Sequence, residues 1–112
     1  MPKAIEVPDE LWEQVKTIVG EDVKEIFNYE DLVGEKFYFR TVTYHSVGKV
    51  KKIVGRFAYL TDASWVADSG RFNEAIKNGT LNEVEPVGIV FVNLDTVVDF
   101  FPWRHKLPTE VK

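Results

Sequence analysis

From Lys36 onward the apolar residues stop recurring at helical spacing and begin to alternate, and this change of period constrains the chain more than any other feature. KFYFRTVTYHSV, GKVKKIVG and RFAYLTDASWVA are rich in aromatic and β-branched residues, which suit a pleated, half-buried surface. The links between them are very short, so these segments form an antiparallel meander. Val50 and either Ile53 or Val54 are expected to point inward, with the lysines outward. PVGIVFVNLDTVVDFFPW then supplies two further apolar runs broken at Asn93-Leu94-Asp95, each too short for a helix of that polarity.

Two other segments keep a helical period. In PDELWEQVKTIVG, Leu11, Val15, Ile18 and Val19 share one face, Asp9 and Glu10 suit a first turn, and Gly20 suits a cap. EDVKEIFNYEDLVG places Val23, Ile26 and Phe27 together and predicts a second short helix ending at Gly34. DSGRFNEAIKNG predicts a short helix inserted between strands, with Asp68 or Ser69 as N-cap and Asn78-Gly79 as its stop. The expected fold is mainly β with N-terminal helices: a small, bent, five-stranded antiparallel barrel of the SH3-like kind with one inserted helix. At 112 residues the chain fits a single domain, 1–112, with a helical segment over 1–34, a barrel over 36–103 and an extended tail over 104–112.

Charge is unevenly placed. Residues 1–35 hold ten acids and three bases, whereas residues 36–56 hold six bases and no acid. That block can contact phosphate or pair with the protein's own acidic face. Arg40, Lys49, Lys51, Lys52 and Arg56 are the candidate nucleic-acid contacts, with Tyr38, Tyr44 and Phe57 as aromatic partners on which bases could stack. Cysteine is absent, which excludes disulfides, thiolate metal sites and thiol catalysis. His45 and His105 have no metal-ligand spacing. In YLTDASWVADSGRF, Asp62 and Asp68 lie up to roughly 20 Å apart on an extended strand, too far for one acid–base pair. The stretch reads as a strand-to-helix seam, with Ser64 bonding locally and Trp65 in the core. No enzyme activity, metal or cofactor is expected. With no membrane-length apolar run and no secretory signal, a cytoplasmic location is expected.

Gly48, Val50, Leu60, Asp62 and Ala63 in GKVKKIVGRFAYLTDA, followed by VFVNLDTVVDFFP, resemble the two motifs of the Sm-like family, small barrels that assemble into RNA-binding rings. The resemblance spans residues 36–102. It implies the bent five-stranded fold, a homo-oligomer of ring type and RNA as a partner. The family's polar RNA-pocket pattern is absent, because Val54-Gly55-Arg56-Phe57-Ala58 and Asn93-Leu94 stand in its place. Assembly is also suggested by runs that are apolar on both faces, with Val90, Val92, Val97, Phe100, Phe101 and Trp103 as candidate interface residues. A module that binds another protein, without nucleic acid, fits the same features.

Overall fold

The computed structural model describes residues 25–112, so the helix expected over PDELWEQVKTIVG lies outside them, as does Val23. The described part of the second acidic segment is not a helix with a buried face. Tyr29–Leu32 form a single 3-10 turn, and Ile26 and Phe27 are exposed. The Asp31 carboxylate closes that turn by accepting from the backbone N–H groups of Phe27 and Asn28. Gly34, at φ +92°, then redirects the chain, and its N–H donates to the Val50 carbonyl at 2.7 Å. Only Leu32 from this turn reaches the core.

The strands are β1 (Lys36–Thr41), β2 (His45–Val54), β3 (Phe57–Asp68), β4 (Glu83–Asn93) and β5 (Val97–Pro102). A helix, α1 (Phe72–Asn78), separates β3 from β4, and a 3-10 turn over Leu94–Thr96 separates β4 from β5. KFYFRTVTYHSV is therefore two strands joined by a hairpin. The Thr41 and Tyr44 backbones bond across its turn at 2.9 Å, and the Thr41 hydroxyl oxygen accepts from the Tyr44 N–H. The sheet is antiparallel in the order β4-β3-β2-β1-β5. It bends but does not close into a barrel: β4 and β5 stay at opposite edges. Two six-residue strands on one side face strands of 11 and 12 residues on the other.

Both faces of the sheet are covered. Phe37, Phe39, Val50, Leu60 and Val92 line the inner face with Leu32 and Leu94. Tyr38, Val47, Val66 and Val84 face the other way, against Ala75 of α1, Leu81 and Trp103. The strict alternation along Phe37-Tyr38-Phe39 feeds the two cores in turn. Gly48 is not a turn residue but sits within β2. A Cβ there would lie 2.9 Å from the Ala63 Cβ and 3.2 Å from the Leu60 Cβ, so the bend of β2 over β3 requires a residue with no side chain.

Helix α1 starts one turn later than its sequence suggests. Arg71 is the N-cap, while the Asp68 carboxylate holds the preceding turn by accepting from the Gly70 N–H at 2.8 Å. Gly79, in the left-handed region at φ +77°, ends the helix as expected. Beyond β5 the tail has no regular structure, yet it packs on the outer face, and Lys112 exchanges two backbone hydrogen bonds with Val84, each 2.9 Å. No helix among the described residues is long and apolar enough to cross a membrane.

Candidate nucleic-acid interface

The outer face is covered by α1 and the tail over only part of its area. Beyond that cover, cross-strand register sets Lys49 opposite Thr61, Lys52 opposite Tyr59, and Tyr59 opposite Phe91. The Tyr59 and Phe91 rings stand 4.8 Å apart between centroids. Lys51 is the extra residue at a register shift between Val50 and Lys52, and its Nζ lies 5.5 Å from the centre of the Tyr59 ring. Lys49, Lys51 and Lys52 are all exposed, as is Phe91. Three cations therefore stand beside a paired aromatic platform on one solvated surface, an arrangement able to hold phosphates and stack a base.

The two arginines of the basic block are engaged within the chain. Arg40 holds Asp99 through two bonds, Nε to Oδ1 at 2.7 Å and Nη2 to Oδ2 at 2.5 Å, and its guanidinium lies 4.5 Å from the Phe72 ring centre. This bidentate pairing holds the Asp99 carboxyl below the usual carboxylate range. Arg56 bonds Asp95 at 2.6 Å, which joins the β2–β3 and β4–β5 turns. Tyr38 is fully buried, and burial pushes its hydroxyl up to about 12. It bonds His45 Nδ1 at 2.9 Å, and burial lowers the histidine. Tyr44 is exposed beside Trp65, but at the His45 end of β2, about 25 Å along the strand from Lys52. Phe57 is partly exposed at the start of β3. Of the sequence candidates, the structure thus brings together the three lysines, with Phe57 two residues from Tyr59.

Tyr59 and Phe91 were missed by the sequence reading. Tyr59 was legible, since its neighbours Ala58 and Leu60 alternate inward; Phe91 was not, because GIVFV is apolar in both parities. The same ambiguity affects the interface candidates. Val92 and Trp103 are buried in the chain's own cores, and Val90, Val97 and Phe100 pack against the inner one. Phe101 packs edge-on to Phe72 at 5.1 Å. The exposed large apolar residues of edge strand β4 are instead Val87, Ile89 and Phe91, each more than half exposed. Asp62, Asp68 and His45 do not share surroundings: Asp62 lies at an irregularity of β3, Asp68 in the turn before α1, and His45 against Tyr38.

The Arg40–Asp99 pair makes a pH prediction. The folded carboxyl titrates below its unfolded value of about 4, so the pair's stabilisation is complete above that pH and is lost as pH falls through the folded value. Asp99→Asn is expected to lower the melting temperature slightly near pH 6 and to flatten its fall below pH 4. Parallel melting curves for the two proteins from pH 2.5 to 6 would show that the pair contributes nothing.

No protein-family model matches the chain, and no curated protein matches it. Among solved structures, it is similar to the SmAP1 heptamer of P. aerophilum, at 16% identity and a TM-score of 0.47, with 64% of this chain and 82% of that one covered. It is similar to the Sm protein of Pyrococcus abyssii, solved in complex with a uridine heptamer, at 12% identity and a TM-score of 0.44 over 63% and 86% of the two chains. An Sm-like protein from Archaeoglobus fulgidus matches at 14% identity and a TM-score of 0.45, covering 89% of this chain and 99% of the other. The solved structures to which the chain is similar are Sm and Sm-like proteins, each less than 20% identical to it.

Proposed function

We propose that this protein is a non-enzymatic, self-associating binding module that takes single-stranded nucleic acid, RNA in particular, on the outer face of β2, β3 and β4. The observation that carries the reading is the Tyr59–Phe91 pair, half-buried at Tyr59 and exposed at Phe91, with Lys51 beside the Tyr59 ring and Lys49 and Lys52 alongside. Lysines that served only to keep a surface soluble would have no need of a partly exposed aromatic pair between them. Base stacking on such a platform is worth roughly 1–3 kcal/mol per base and is tolerant of sequence. Self-association is supported by the two open edges of the sheet, where a strand of a second copy could pair, and by Val87 and Ile89, exposed on β4 beyond the platform. Repetition of the lysine surface in an oligomer would add weak contacts into avidity. The same exposed residues favour a second reading, docking of another protein.

Fluorescence anisotropy of labelled single-stranded RNA, titrated at several salt concentrations, tests the first reading. Three lysine–phosphate contacts per subunit predict a logarithmic salt slope near −2 for each subunit engaged. Binding that is absent even at low salt would refute the nucleic-acid reading and leave the protein-docking one.

A further inference from the structure

Beside the lysine surface the sheet opens into a cleft that the reading above does not use. Two irregularities make it. In β3 the register with β4 shifts between Leu60 and Ala63, and the intervening Asp62 adopts φ +50°, a left-handed conformation unusual for a residue with a side chain. Opposite, β4 kinks through Pro86 and Gly88, the latter at φ +86°. The tail forms the remaining wall, running through Lys106, Leu107 and Pro108. It is held there by the Trp103 Nε1–H, which donates to the Lys106 carbonyl at 3.4 Å, and by Lys36, whose Nζ donates to the His105 carbonyl. The cleft has a volume of about 500 Å³, inside the roughly 300–1,000 Å³ usual for small-ligand sites.

Its chemistry is mixed in a specific way. Lys36 and Lys106 bring two cations and Asp62 one anion, while Pro86, Leu107 and Pro108 provide flat apolar wall. Among the described residues, neither the Asp62 carboxylate nor the Lys106 ammonium has a hydrogen-bond or ion-pair partner. A matching ligand has an anionic group, a hydroxyl that donates to a carboxylate, and a planar apolar body. A ribonucleotide has all three: phosphate for the lysines, ribose hydroxyl for Asp62, base against the prolines. The position agrees, since Lys36 is the cross-strand partner of Lys49, which is in turn opposite Thr61 next to Asp62.

We propose that this cleft holds one ribonucleotide of a bound strand, and that Asp62 accepts from its 2′-hydroxyl and so distinguishes RNA from DNA. The strand part of the proposal rests on the nucleic-acid reading above; the cleft itself does not. Hydrogen bonding to a charged acceptor sets the expected discrimination at about tenfold.

The test uses adenosine monophosphate and its 2′-deoxy counterpart, each titrated into the full-length protein by NMR, and then matched RNA and DNA oligonucleotides. The ribonucleotide is expected to shift the amides of Asp62, Gly88, Lys106, Leu107 and Thr109, and to bind about tenfold more tightly than the deoxynucleotide. Asp62→Gly suits the left-handed backbone and keeps the fold, and should make the two affinities equal. Lys106→Gln should weaken both together. Equal affinities in the unmodified protein, shifts confined to other residues, or no binding up to about 10 mM would overturn the cleft. If oligonucleotides bind at the lysine surface while Asp62→Gly leaves the RNA-to-DNA ratio unchanged, the cleft fails and the broader reading stands. Binding of the mononucleotide without any binding of oligonucleotides would keep the cleft and overturn its place in a strand.

Discussion

Replacing Lys49, Lys51 and Lys52 together by glutamate is expected to reduce affinity for single-stranded RNA at least about 100-fold at physiological salt and to remove most of its salt dependence. The size follows from the geometry. These lysines are the exposed cations of the basic block that lie together, whereas Arg40 and Arg56 are already paired with Asp99 and Asp95. Reversing three charges removes three phosphate contacts and adds three repulsions. The change should cost the fold little, because exposed positions of this kind usually shift stability by no more than about 0.5 kcal/mol. Lys51 also loses its place over Tyr59, a contact worth about 0.5–1 kcal/mol at an exposed site. Circular dichroism and the melting curve should therefore remain close to those of the unmodified protein. Unchanged RNA affinity in a folded variant would show that phosphate is held elsewhere on the molecule.

Trp103→Ala should produce the largest loss of stability, about 3–5 kcal/mol. The indole is 2% exposed and stands 5.9 Å from the Tyr38 ring and 5.0 Å from the His105 ring, between centroids. It is the largest member of the outer core, where strand, helix α1 and tail meet. Truncation would leave a cavity under Tyr38 and free the Lys106 carbonyl from its donor. Against the roughly 5–15 kcal/mol typical of a whole domain, this is a large fraction, and the melting temperature should fall by at least about 10 °C. Urea denaturation gives the free-energy change directly. A loss under about 1 kcal/mol, accompanied by a smaller assembly, would instead show Trp103 acting between subunits, as the sequence first suggested.

The lysine cluster was legible because charge is local: six bases and no acid fall within 21 consecutive residues. That Arg40 and Arg56 would be drawn off was not legible, since their partners lie 59 and 39 positions away. The acids that neutralise them sit around β5, and only the β1–β5 pairing and the two adjoining turns bring them close.

Trp103 shows the opposite side. Its hydrophobicity was plain, but a tail containing Pro108 reads as extended, and nothing local reveals that the sheet has a second apolar face to cover. The alternation of Phe37, Tyr38 and Phe39 held that information only once both faces were known to be buried. Gly48 is a similar case: its position between two apolar runs reads as a turn, whereas the requirement is the 2.9 Å approach of Ala63 across the strand pair.

By itself, then, the sequence determined five antiparallel strands, the inserted helix with its Gly79 stop, and a basic block in an acidic chain, because period, turn residues and charge act over a few positions. The tertiary structure alone decided which parity of β4 is exposed, whether the sheet closes, and which cations remain free. A run such as GIVFV is apolar in both registers, so its pairing with β3, displaced by the irregularity at Asp62, sets which side chains face water.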